Sequence, residues 1–185
     1  MDIDKKLVAN TLDGDMDSFS ALVTNYQERI YNFLLRLTLC REDAEELLQD
    51  VFVRVYKYLY TYNHSMSFST WLYRIALNTF KDYHKRNKRK PATFCYDEAV
   101  DTYGDSKNHP EVAYETKEKF KEIVKIINSL KEEQRIAIIL KYIQDFSYKE
   151  IGEILSITPE NAKMRVSRAR KTIGLSFRDE NGGAF

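Results

Sequence analysis

Glycine and proline, the residues that most often interrupt helices, are nearly absent from the first half of the chain. Among 185 residues there are six glycines and three prolines, and only Gly14 precedes Pro91. About ninety residues with so few interruptions favour long helices. The composition then changes between Pro91 and Pro110, where acidic residues recur without helical spacing. We interpret that segment as a linker between two domains.

Before the linker, apolar residues recur at helical spacing from Phe19 to Leu37 and again from Ala44 to Leu59. The second of these helices carries a polar face whose acidic first half suits the positive end of the helix dipole. Two interpretations of this acidic face stay open. It is either solvated, as most such faces are, or it docks on a basic groove of another protein.

The next segment, 68–90, joins an aromatic helix to a basic run. At helical spacing its apolar side includes Trp71, and the opposite side carries a stripe of Arg74, Asn78, Lys81 and Lys85. Cations beside aromatic rings suit single-stranded DNA, because cations follow the phosphate backbone and rings stack on unpaired bases. The alternative is that Trp71 and Phe68 belong to the core and the cations only complement the helix end.

After the linker, the pattern predicts a helix-turn-helix. Ser147 and Glu150 form a predicted capping box for a short helix, as do Ser129 and Glu132 for the helix before it. A three-residue turn then leads to a cationic helix with Thr158 as N-cap and a proline at its first position. Such a pair typically places its second helix in the major groove.

That last helix divides into two faces at 100° per residue. Ala162, Val166, Ala169 and Ile173 share the side predicted to be buried. The opposite side presents Met164, Ser167, Arg168 and Lys171, with Lys163 at its flank. Arg and Lys pair with guanine or phosphate, and Ser is a tolerant short donor or acceptor. A solvated cationic face is the alternative.

Composition excludes several classes of protein. The net charge is +1, which argues against a globally basic nucleic-acid coat, but acidic and basic residues are segregated into 42–50, 81–90 and 163–171. No apolar run approaches the roughly 20 residues of a membrane span and nothing resembles a signal peptide, so we expect a cytoplasmic protein without membrane insertion. Cys40 and Cys95 lack metal-ligand spacing, so no metal or cofactor is expected.

Four segments in order together resemble one protein family. They are FSALVTNYQERIYNFLLRL, DAEELLQDVFVRVYKYL, FSTWLYRIALNTFKDYHKR and LKEEQRIAIILKYIQDFSYKEIGEILSITPENAKMRVSRARKTI. This sequence is similar to the extracytoplasmic-function (ECF) class of bacterial RNA polymerase sigma factors, and the resemblance covers nearly the whole chain. It implies a transcription initiation factor without enzymatic activity.

The resemblance also implies a domain plan for an all-α protein with two small helical domains and a flexible linker. The expected parts are a region 2 domain over 1–90, a linker over 91–115, a region 4 helix-turn-helix domain over 116–178 and a tail over 179–185. In this class the linker threads toward the active-site and RNA-exit channels of the polymerase, and a plain flexible tether is the alternative. The expected partners are core RNA polymerase, promoter DNA and an anti-sigma factor, which in this family is commonly membrane-anchored.

Site residues follow from the same resemblance, position by position. The implied polymerase contacts are Glu46, Gln49 and Asp50. The implied contacts with the single-stranded −10 element are Ser67, Phe68, Arg74, Asn78, Lys81 and Lys85, with Trp71 as loop support or duplex wedge. The implied −35 contacts are Lys163, Met164, Ser167 and Arg168 at bases and Lys141 and Arg165 at phosphates. Lys171, on the same exposed face, is a further predicted −35 contact. A stand-alone helix-turn-helix regulator and a protein-binding adaptor are the alternatives from other classes.

Overall fold

The computed structural model describes residues 3–87 and 125–181, with side chains through residue 175. All regular structure in these ranges is helical, which confirms the all-α prediction. The first range contains α1 (Ile3–Leu12), α2 (Met16–Thr38), α3 (Arg41–Tyr58), a 3-10 turn (Leu59–Thr61) and α4 (Phe68–Asn87). The second contains a helical stretch at 125–129, then α5 (Glu132–Tyr142), α6 (Tyr148–Leu155) and α7 (Pro159–Asn181).

These helices form two compact units, the first built by α1 to α4 and the second by most of α5 to α7. The predicted linker, 91–115, and Cys95 lie outside the described residues, as do both domain boundaries next to the linker. In the second unit, α7 continues to Asn181, beyond the predicted domain end at 178.

In the first unit α2 is the central helix, and both of its ends are well defined. The Asp15 side chain caps its start by accepting hydrogen bonds from the backbone N–H groups of Asp17 (3.0 Å) and Ser18 (3.4 Å). Its end is set by Leu39, whose backbone is left-handed at φ 57°. The core between α2, α3 and α4 is filled by large apolar side chains, each of which stabilises the fold by about 1.5–3 kcal/mol. They include Leu22, Ile30, Phe33, Leu34, Leu47, Leu72 and Leu77.

Helix α1 was not predicted from the sequence. Half of its ten residues are apolar, but three consecutive charged residues follow Ile3, so its helical period is weak. Tertiary contacts hold it instead: Val8 and Thr11 are buried, and the Tyr26 hydroxyl of α2 donates a hydrogen bond to Asp4.

Two of the three predicted caps in the second unit are confirmed. Ser147 and Glu150 form the capping box of α6, and the Thr158 hydroxyl accepts a hydrogen bond from the Asn161 N–H at 3.2 Å. The predicted capping box of Ser129 and Glu132 is wrong. The Ser129 hydroxyl donates to the Ile126 carbonyl in its own helical turn (2.8 Å), and α5 begins after Lys131 without a side-chain cap.

The helix-turn-helix is held from two sides. Leu130 and Ile138 pack with Ala169 of α7 in one buried cluster, against which Ile173 also rests. At the turn, α6 approaches the backbone before α7 so closely that a Cβ at Gly152 would lie 2.8 Å from the Ile157 carbonyl oxygen. Glycine at position 152 therefore allows α6 and the backbone before α7 to come this close.

Within the described ranges, no helix is long and apolar enough to cross a membrane. In the same residues, no three His, Cys, Asp or Glu side chains are grouped so that they could hold a metal ion.

Candidate nucleic-acid interface

The cationic stripe on α4 lies in solvent. Arg74, Asn78, Lys81 and Lys85 are all exposed, whereas the other side of the helix is buried through residues such as Leu72. Because these four positions are spaced by three or four residues, they form a single polar row along α4. The row combines three cations with one amide that can hydrogen-bond a base edge.

Two polar contacts fix α4 to α3 beside this row. Arg54 of α3 forms an ion pair with Asp82 at 2.8 Å, and the Tyr83 hydroxyl donates to the Asp43 carboxylate at 2.6 Å. Burial raises the pKa of Tyr83, and the hydrogen bond to Asp43 raises it further. The phenol therefore stays neutral and keeps donating, so α3 and α4 are held by directional bonds as well as by their apolar core.

An aromatic cluster supports the loop of residues 63–67 that precedes α4. Tyr62 and Phe68 are 5% and 2% exposed, and their ring centroids lie 5.7 Å apart. Trp71 is half-buried and packs 5.5 Å from Tyr62 and 5.8 Å from Phe68. The Phe68 ring is thus enclosed by protein, and its role as a −10 contact stays a prediction. Trp71 packs against the rings on either side of the loop, and its role as loop support or duplex wedge likewise stays a prediction.

The loop itself is shaped by internal hydrogen bonds. Asn63 accepts from the Ser65 N–H at 3.1 Å, and the Tyr62 hydroxyl donates to the Met66 carbonyl at 3.0 Å. The Ser67 hydroxyl accepts from the Thr70 N–H at 3.1 Å and so caps α4. Ser67 is exposed, and its hydroxyl also shapes the start of the helix.

Three exposed loop residues, Asn63, His64 and Ser65, were missing from the predicted contacts. The polar run between two aromatic residues marked a loop in the sequence, but the order of exposed and enclosed side chains within it depends on the folded turn.

The acidic face of α3 is also exposed. Glu46, Gln49 and Asp50 lie in solvent along one edge, and Val53 and Tyr56 continue this edge at helical spacing. Val53 is 66% exposed and Tyr56 51% exposed. This edge of α3 therefore combines acidic and amide side chains with two exposed apolar ones. The helical projection could have found Val53, since it lies four residues after Gln49.

On α7 the predicted division into two faces is confirmed. Ala162, Val166 and Ala169 are buried and Ile173 is half-buried. The exposed face presents five of the predicted −35 contacts, which are Lys163, Met164, Ser167, Arg168 and Lys171.

Both predicted phosphate contacts, Lys141 and Arg165, have partners within the second unit. The Lys141 ammonium donates to the Phe146 carbonyl at 3.1 Å and lies 5.3 Å from the centre of the Tyr148 ring. Arg165 forms an ion pair with Glu133 at 3.1 Å, and its side chain is 26% exposed against 70% for that of Glu133. Sequence reasoning did not foresee either contact, because each depends on how the helices meet.

Known families match both units. A model of sigma-70 region 2 matches residues 22–90, and a model of sigma-70 region 4 matches residues 120–173. The chain is 33% identical to the ECF RNA polymerase sigma factor SigW of Bacillus subtilis, with 95% of this chain and 97% of SigW covered. It is 31% identical to the ECF RNA polymerase sigma-E factor of Escherichia coli K12, with 92% of each chain covered.

Solved structures share the fold. The structure of CnrH in complex with the cytosolic domain of CnrY matches with a TM-score of 0.70 at 20% identity, over 96% of this chain and 99% of CnrH. The sigma factor RpoE of Bartonella quintana, solved with the anti-sigma factor NepR, matches with a TM-score of 0.63 at 21% identity, over 90% of this chain and 98% of RpoE. The solved structures show the fold, and the family models together with the sequence relatives show that the chain belongs to the ECF sigma factors of bacterial RNA polymerase.

Proposed function

We propose that this sigma factor binds core RNA polymerase through α3, reads the −10 element as a single strand through α4 and the 63–67 loop, and reads the −35 element through α7. The observation that carries the proposal is the coexistence of three exposed surfaces of different character. The α3 edge is acidic and continues into two exposed apolar side chains, whereas the α4 row and the α7 face are cationic. We assign the chain no catalytic activity of its own, since its matched regions belong to initiation factors.

Polymerase binding is tested first on α3. Asp50 is exposed beside Val53, so reversing its charge should repel a basic partner groove without disturbing the core. We expect Asp50→Lys to weaken binding to core polymerase by about tenfold. Glu28→Lys, on the exposed side of α2, is the matched control and should bind like the wild type. Equal binding by Asp50→Lys would remove the α3 edge from the interface.

The −10 element is tested on α4. Asn78 is exposed between the cations of its row, where its amide can hydrogen-bond an unpaired base. We expect Asn78→Ala to slow open-complex formation while sparing polymerase binding, measured with a fluorescent base analogue in the −10 strand. Gln27→Ala removes an exposed amide from α2 and is the control. Normal promoter opening by Asn78→Ala would exclude that residue.

The −35 element is tested on α7. If Arg168 reads a base, Arg168→Ala should weaken the binding free energy for the cognate −35 element by about 1–3 kcal/mol. Binding to −35 elements that are already changed at that base should then be weakened little. If Arg168 contacts phosphate, the loss should be uniform across sequences. Promoters for these assays come from sequencing run-off transcripts made by core polymerase with the purified protein. Tight, specific duplex binding without polymerase would instead indicate a stand-alone regulator.

An inhibitory partner completes the proposal. CnrH has been solved with the cytosolic domain of CnrY, and RpoE with the anti-sigma factor NepR. We propose that an anti-sigma factor likewise binds this chain, and anchoring of that factor in a membrane stays a prediction. Purification of the tagged sigma factor from its native host should recover such a protein, and its addition should inhibit run-off transcription.

A further inference from the structure

We propose that the Tyr62 hydroxyl is a positioning group that holds the 63–67 loop in its DNA-reading shape. This inference rests on the proposed reading of the −10 element by the loop and α4. Tyr62 itself is 5% exposed, so it acts on DNA only through the residues that it orients. Its position is unusual in that it immediately precedes the loop and contacts residues within the loop and beyond it.

The ring of Tyr62 packs against the loop and against the start of α4. Its centroid lies 4.6 Å from that of His64, 5.7 Å from that of Phe68 and 5.5 Å from that of Trp71. The first and second of these contacts are edge-to-face, a favourable arrangement for aromatic pairs. One buried ring therefore packs against a loop residue and against both aromatic residues at the start of α4.

The hydroxyl of Tyr62 closes the loop. It donates to the Met66 carbonyl at 3.0 Å, so the residue before the loop is bonded to the residue just before Ser67. Ser67 in turn caps α4. The loop is thus joined at one end to the buried ring and at the other to the helix that carries the cationic row.

The loop needs such a restraint because one of its residues is conformationally unfavourable. His64 has a φ of 61°, in the left-handed region that residues other than glycine seldom occupy. The Asn63 side chain favours this turn by accepting from the Ser65 N–H at 3.1 Å. When the Tyr62–Met66 bond is lost, the loop gains alternative shapes and the fraction in the reading shape falls.

Tyr62→Phe isolates this effect, since it keeps the ring and removes only the hydroxyl. The net contribution of one ordinary hydrogen bond corresponds to about a fivefold change in the equilibrium constant between loop shapes. We therefore expect open-complex formation on the cognate promoter to fall by up to about fivefold. We also expect a flatter response to base changes in the −10 element, because a mobile loop discriminates less between bases.

Tyr26→Phe is the matched control. Its ring also packs edge-to-face against Phe68, at 5.5 Å, but its hydroxyl donates to Asp4 of α1 and not to the loop. Tyr26→Phe should keep the wild-type −10 profile, and both variants should bind core polymerase and −35 duplex normally. Fluorescence of Trp71, the single tryptophan, monitors unfolding of the first unit in each variant.

The outcomes separate the loop from the rest of the function. A wild-type −10 profile for Tyr62→Phe overturns the inference even when Asn78→Ala slows opening, which leaves the proposed function standing. An equal change in both tyrosine variants also overturns it, because loosening of the core then explains the loss. If Asn78→Ala opens promoters normally as well, Asn78 is also excluded from the −10 contacts, and this inference is overturned by the Tyr62→Phe result alone.

Discussion

Gly152→Ala should destabilise the helix-turn-helix even though alanine is the better helix former. The added Cβ would lie 2.8 Å from the carbonyl oxygen of Ile157 and 3.3 Å from the nitrogen of Pro159. Both atoms belong to the backbone of the turn, so relief requires α6 and the start of α7 to move apart.

The expected magnitude combines three terms. Overpacking of this kind costs about 1–3 kcal/mol. Alanine regains about 1 kcal/mol through its helix propensity. Separation of the helices also strains the hydrogen bond from the Ile157 N–H to the Gly152 carbonyl (2.9 Å), which contributes about 1 kcal/mol. The free energy of unfolding of the second unit should therefore fall by about 1–3 kcal/mol.

Gly174→Ala is a matched control in the same unit. Gly174 lies within α7, and no atom stands within 4 Å of the Cβ position. Here only the propensity gain remains, so stability should rise by up to about 1 kcal/mol. The two substitutions are chemically identical and should have opposite signs.

Each unit needs its own probe, because a chain of two units need not unfold in one step. Trp71 lies in the first unit, so its fluorescence should be unchanged in both variants. Hydrogen exchange of amides in α5 to α7 reports the second unit. Exchange in Gly152→Ala that is as slow as in the wild type, or slower, would refute the packing argument.

Three further predictions concern stability and DNA affinity. Glu133→Gln releases Arg165 from its ion pair, so affinity for duplex DNA should rise. The slope of log affinity against log salt concentration should steepen by about one unit, measured by titration at several salt concentrations. Ser147→Ala removes half of a capping box and should lower the stability of the second unit by about 0.5–2 kcal/mol in denaturant unfolding. The hydrogen bond from Ser18 lowers the pKa of Asp15, so the stabilisation that this carboxylate provides is complete above its unfolded pKa of about 4 and is lost at more acidic pH. Asp15→Asn keeps a capping side chain and should remove that pH dependence from thermal unfolding.

Helix faces were predictable from the sequence because they depend on periodicity alone. The exposed row on α4 and the two faces of α7 follow from residues repeated every three or four positions. Helix caps were predicted less reliably. Ser147 and Ser129 are each followed by a glutamate three residues later, but Ser129 still lies in a helical turn whose Ile126 carbonyl accepts its proton.

Contacts between distant helices could not be read from one sequence. Arg165 pairs with Glu133, and Lys141 donates to the loop after α5, only because the folded unit brings these groups together. The burial of Phe68 similarly depends on Tyr26 of α2, which lies far away in the chain. The sequence alone left open whether the Phe68 ring packs in the core, and the contacts of the folded unit show that it does.

The division of α7 into two faces bears on how promoter choice can diverge. The residues that secure the helix, such as Val166 and Ala169, are buried, whereas Met164 and Ser167 are exposed on the other side. A duplicated copy of this gene could therefore exchange the exposed pair without refolding the domain. Under the proposed −35 reading, selection on promoter preference and selection on stability would act on separate residues, and a new regulon would then need only a few surface substitutions.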